Sequence, residues 1–197
     1  MSKIIEELHK NAEYQANKLK IEKVTATDDF ILVEGRVLYR VYFAFYKHFI
    51  VCSGDYGEWQ FNCTWETIED KKPVIYTETN YLCSKVSRDC KAKVFNEDLF
   101  MEEFNEWWES EKEYYKDEEN FDKLQELVDD FNCDGEYYVI PAVDEFITDF
   151  NKLVEKNKIY ETYLYENGMC YNIQFLVNVY MLQKIKEYFE NDGGKNE

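Results

Sequence analysis

The chain has 197 residues, 41 acids against 23 bases and a formal charge of −18, with 45% hydrophobic and 18% aromatic side chains. That apolar content excludes a disordered chain, and the charge disfavours bare nucleic acid and anionic membranes as partners. No run approaches the roughly 18 apolar residues of a membrane span. The charged start, Met1-Ser2-Lys3-Ile4-Ile5-Glu6-Glu7, has no signal-peptide core, so a cytoplasmic location is expected.

Residues 3–20 read as an amphipathic helix. Ser2 is placed to cap it, and Ile4, Leu8, Ala12 and Ala16 recur every four residues, with Leu19 three further on. Residues 21–65 change period. Phe30-Ile31-Leu32-Val33 reads as a strand entering a tight turn at Glu34-Gly35. From Arg36 to Phe45 the alternation is again that of a strand. A hairpin follows, with Gly54-Asp55-Tyr56-Gly57 at its tip. The register pairs Cys52 with Trp59, Ile50 with Phe61 and His48 with Cys63, because a slip of one residue would bury Glu58 and Gln60.

Residues 68–76 read as a loop around Pro73, 78–86 as a short helix and 90–95 as a return to strand. Asn96 or Asp98 can cap a helix reaching Tyr115, with Phe100, Phe104, Trp107, Trp108 and Tyr115 as its apolar stripe. A second helix, 118–131, would bury Phe121, Leu124, Leu127, Val128 and Phe131 and end at Asp134-Gly135. Pro141 suits the first position of the next helix, which carries Val143, Phe146, Ile147, Phe150 and Leu153. Asn167-Gly168 marks a turn. The helix 171–190 is apolar nearly all round, as in a buried or interfacial helix, and the tail 191–197 should fray. The order predicts an α+β fold in a single domain, 1–197: a helix plus β-meander lobe at 1–95 and a helical lobe at 96–190. The 171–190 helix should cover the hairpin's apolar face and pack on the acidic helices as well, or pair with a second copy in a homodimer.

Residues 97–136 hold seventeen acids and three bases, so −14 of the −18 charge lies in this one stretch, interleaved with large apolar side chains. Two readings compete. One is a solvated face that keeps an aromatic-rich protein soluble. The other is a folded negative surface that imitates a nucleic-acid backbone. Forty helical residues span about 60 Å, which gives about one net charge per 4 Å, close to the one per about 3.4 Å of a DNA strand.

Six cysteines, at 52, 63, 83, 90, 133 and 170, include no C-x-x-C pair. Reduced, mostly buried thiols are expected, without disulfide or zinc. His48 and Cys63 should be packed in the core rather than form a nucleophilic pair. The glycine-flanked tip lacks the lysine and helix start of a phosphate loop. Trp107 and Trp108 should be core residues, since grooves that stack bases are basic. No catalytic residue, cofactor or metal is expected.

The segment His48 to Trp65, H-F-I-V-C-S-G-D-Y-G-E-W-Q-F-N-C-T-W, resembles uncharacterised proteins of phages and other mobile elements, in which a strand, a G-D-Y-G turn and a W-x-F strand recur. Cys83 to Phe95, with Lys85 and Lys91, is similar in kind. The resemblance implies the setting of a phage protein in a host cell. With the charge, it suggests an anti-CRISPR or anti-restriction type of inhibitor. The expected function is then non-enzymatic inhibition of a host defence nuclease or another nucleic-acid-binding protein, with no direct contact to nucleic acid. The charge would come from Glu102, Glu103, Glu106, Glu109, Glu113, Asp117, Glu118 and Glu119, and Trp or Tyr residues at the edge would act as anchors. The alternatives are a nucleotide sponge or nucleotide-processing enzyme with a pocket beside the hairpin, and a structural or assembly protein.

Overall fold

The computed structural model describes residues 2–131, 136–154, 158–159 and 168–191, without the side chains of 136–140. The expected terminator Asp134-Gly135, together with Cys133, Asn167 and the tail from 192, lies outside the described residues. The fold is α+β, with an N-terminal helix, an antiparallel five-stranded sheet and then helices. The chain forms two compact units, 1–92 with 171–197, and 93–170. The 171–190 helix therefore belongs with the sheet, and the expected helical lobe of 96–190 loses it. Only tertiary contacts could assign it, because its apolar surface suits either lobe.

The sheet unit begins with α1 (Lys3–Ala16), capped by the Ser2 hydroxyl, which accepts from the Ile4 amide at 3.1 Å. The strands β1 (Lys20–Ala26), β2 (Phe30–Arg36), β3 (Arg40–Tyr46), β4 (Phe49–Gly54) and β5 (Trp59–Asn62) pair in chain order as a meander. The hairpin register is the expected one: Cys52 faces Trp59, and Ile50 faces Phe61. Gly54 and Gly57 at its tip both adopt positive φ, where glycine has no steric cost.

The turn expected at Glu34-Gly35 lies instead at 37–39, and β2 runs straight through Gly35. Gly35 is needed for close approach. A Cβ there would stand 2.8 Å from Leu19 Cδ1 and 3.1 Å from the Lys20 carbonyl oxygen. The actual turn is held from a distance, as the Asp55 carboxylate accepts from the amides of Leu38 (3.3 Å) and Tyr39 (2.7 Å). His48 also departs from expectation. It sits in the two-residue turn between β3 and β4, is exposed, and its Nδ1 meets the Trp65 carbonyl at 3.1 Å. Cys63 does lie in the core. The expected loop at 68–76 contains a small hairpin, β6 (Ile68–Glu69) with β7 (Lys72–Pro73), turned by Asp70 and Lys71 at positive φ. The helix α2 (Thr79–Lys85) follows as expected.

One sheet face, including Ile31, Val33, Val41, Phe43, Phe45, Ile50, Trp59 and Phe61, is buried in one cluster with α1 and with α6 (Ile173–Asn191). Phe175 of α6 packs 5.6 Å from the Trp59 ring and 6.2 Å from Phe61. Leu176, Val179 and Leu182 are fully buried within the chain, so their apolar surface gives no reason to expect a dimer through this helix. The buried polar Asn178 fixes α6 to the hairpin. Its Nδ2 donates to the Tyr56 carbonyl at 3.0 Å, the same oxygen that accepts from Trp59 Nε1 at 2.8 Å.

The helical unit contains β8 (Lys93–Phe95), α3 (Glu97–Glu111), a 3-10 turn at Lys112–Tyr115, α4 (Phe121–Asp129), α5 (Glu136–Leu153) and the first two residues of β9 (Met169–Tyr171), the strand that pairs with β8. Asn96 caps α3, its side-chain oxygen accepting from the Leu99 amide at 2.8 Å. Pro141 lies inside α5 rather than at its start. The preference of proline for a first turn is a tendency, and an interior proline costs the helix one backbone hydrogen bond. Asn151 secures the far end of α5, donating to the Ile159 carbonyl (2.8 Å) and accepting from its amide (2.9 Å). Among the described residues, no helix is long and apolar enough to cross a membrane.

Candidate functional site

Aromatic packing decides where the acids point. The Phe104 ring lies 4.4 Å from Phe131 and 5.1 Å, edge-on, from Phe146, while Trp108 lies 6.3 Å from Phe121. These contacts tie the start of α4 to the end of α3, and the end of α4 to the middle of α3. The two helices therefore fold back on each other. Trp108 Nε1 donates to the Gln125 side chain across the pair at 3.2 Å. Trp108 is buried, and Trp107 is half-buried against the same cluster. Trp108 is a core residue, as expected, and Trp107 lies at the edge of that core.

The folding back removes the extended row of charge. A 15-residue α3 spans about 22 Å, and α4 runs back along it rather than continuing the row. The dense negative charge persists, but the linear spacing of a nucleic-acid strand does not.

The eight acids expected to serve a partner fall into distinct settings. Glu106, Asp117 and Glu119 are exposed. Glu109 and Glu113 are exposed too, and form ion pairs one helical turn on with Lys112 and Lys116. Such pairs on a solvated helix contribute only a few tenths of a kcal/mol, about 0.3–0.5. Glu102 and Glu118 are half-buried. Glu103 is structural, since its carboxylate accepts from the Gly168 amide at 2.8 Å. The exposed Tyr114 stands within this acidic turn. Burial, and then the Glu111 and Glu118 carboxylates, push the phenol of the neighbouring buried Tyr115 up from its ordinary value.

The other candidate chemistry is weaker. Among the described residues, Cys52, Cys63, Cys83, Cys90 and Cys170 form no disulfide. Burial pushes the Cys63 thiol up to about 12 and raises that of Cys52 as well, so both are neutral and unreactive at ordinary pH. Among the described residues, no group of His, Cys, Asp and Glu is arranged to hold a metal. The cleft beside the hairpin is lined by Glu58 and Asp89 among other residues. Two carboxylates there oppose a phosphate-bearing ligand. What sequence reasoning did not find is a cleft between α4 and α5, with Asp130, Glu145 and Asp149 around apolar side chains. Comparison with family models, curated proteins and solved structures found no match.

Proposed function

We propose that this chain is a non-enzymatic inhibitor, made by a phage or other mobile element, of a host defence nuclease or another nucleic-acid-handling protein. Its acidic helical hairpin would occupy a basic groove, in the manner of anti-CRISPR and anti-restriction proteins. The supporting observation is the division of charge. The helical unit holds 23 acids and 7 bases, whereas the sheet unit holds 18 and 16. A rigid patch of one sign steers a basic partner and excludes competing nucleic acid. Tyr114, exposed within the patch, is the aromatic anchor such an interface uses.

The test begins by capturing a partner from host lysate and assaying that partner's nucleic-acid binding with and without this protein. Inhibition should weaken steeply with salt. Neutralising Glu106, Glu113, Asp117 and Glu119 to their amides should cost about tenfold or more in affinity at low salt, with native circular dichroism. Unchanged affinity in that variant would reduce the charge to a solubility device. A partner that does not handle nucleic acid would overturn the reading.

A further inference from the structure

Among the described residues of the helical unit, the cleft between α4 and α5 joins an open apolar floor to uncovered carboxylates. Leu127, Phe131 and Ala142 are half-buried around the buried Phe146, and Asp130, Glu145 and Asp149 form the rim. Asp149 is already ion-paired with Lys152 at 2.7 Å, while Asp130 and Glu145 are exposed. The cleft has a volume of about 230 Å³, below the roughly 300–1,000 Å³ of ordinary small-molecule sites. It has room for one long side chain. A surface built only for solubility needs no such floor, because exposed apolar area works against solubility.

We propose that this cleft anchors a basic segment of the partner protein by taking one arginine. The arginine's aliphatic stem would lie over Phe131 and Phe146, and its guanidinium would meet Asp130 and Glu145. The inference rests on the proposed function and adds to it the point at which a basic partner is held. Charge complementarity selects the occupant. An acidic or purely apolar segment would strip water from the rim carboxylates without replacing it. Arginine buries its stem on apolar surface, keeps its head at a polar rim, and is attracted by aromatic faces. Its forked, always-charged head can bond two carboxylates at once, which a lysine ammonium does less well. An apolar pocket ringed by charge is also the usual setting of an interface hot spot.

The probe is a fluorescently labelled peptide of alternating arginine and alanine, read by anisotropy at low salt against the full chain. Asp130→Asn with Glu145→Gln should weaken binding about tenfold, as expected for close charge pairs. Glu97→Gln with Asp122→Asn removes the same charge at two other exposed positions of the unit and should cost less than about twofold. Ala142→Leu fills the cleft with every charge kept and should cost about fivefold or more. The surface pair of variants keeps the test decisive if that filled variant does not fold. Equal losses from the two charge pairs would overturn the cleft while leaving a diffuse acidic surface, and with it the proposed function. Spermine displacing the peptide at equal concentration would also overturn the proposal, since a small amine would then be sufficient. A wild-type chain that fails to bind the peptide would overturn the cleft and the reading beneath it together.

Discussion

The two units solve the same folding problem with differently charged surfaces, one nearly balanced and one strongly acidic. The sheet unit holds 18 acids and 16 bases and buries one face of a meander beneath two helices. The helical unit holds 23 acids and 7 bases and closes its core with packed aromatics, Phe100, Phe104, Trp108, Phe146 and Phe150 among them. Aromatic side chains bury the most area at each core position. The difference separates what folding requires from what it does not. The sheet unit buries its core with a nearly balanced surface, so burying a core does not by itself call for the charge that the helical unit carries.

The largest expected effect tests whether the sheet unit is held as described. Trp59 is buried, donates to the Tyr56 carbonyl and packs on Phe175. Trp59→Ala should therefore cost about 3–5 kcal/mol in denaturant unfolding. Its neighbour Glu58 is exposed, and Glu58→Ala should cost well under about 1 kcal/mol. Equal costs would mean that the hairpin presents its faces the other way round.

A smaller effect divides the acids of the helical unit among themselves. Glu103 accepts from the Gly168 amide, so Glu103→Ala should cost about 1.5–3 kcal/mol, the range for a hydrogen bond to a charged group. Glu106→Ala, one turn away and exposed, should stay within about 0.5 kcal/mol. If both behave like Glu106, the carboxylate does not hold Gly168 in solution, and Glu103 rejoins the partner-facing set.

The unevenness of what could be read from the chain has physical causes. The hairpin register was legible because a slip would bury Glu58 and Gln60, so one local pattern excluded its alternatives. The cap of α3 was narrowed only to Asn96 or Asp98, of which the fold uses Asn96, whereas its aromatic stripe was legible as well. The turn at 37–39 was not, because Gly35 looks like a turn residue while its cause is the approach of Leu19, and the group that holds the true turn, Asp55, lies sixteen residues beyond Tyr39. The acid run was plain as composition, but its shape depends on Phe104 meeting Phe131. The α4–α5 cleft joins Asp130 to Glu145 from separate helices. Glu145 and Asp149 flank Phe146 at helical spacing, a weak local signal that becomes a site only once α4 packs beside it.

The smallest effect asks whether the negative surface is a cost to its own unit. Like charges held on one compact unit repel, and salt screens that repulsion. In the helical unit, Glu106→Gln and Glu119→Gln each remove one exposed charge from a field of the same sign. Each should stabilise the unit by a few tenths of a kcal/mol, about 0.3. In the sheet unit acids and bases are nearly balanced and ion pairs such as Lys23–Glu34 and Arg36–Glu22 are present. Glu58→Gln there should give no such gain. Hydrogen exchange can read the two units separately, with amide protection in α3 and α4 rising as salt is added and that in β3 and β4 staying level. A parallel rise in both would trace the response to salt acting on burial in general. A rise confined to α3 and α4 would show a charge kept at the expense of stability, which a solubility device could achieve with its acids spread over both units.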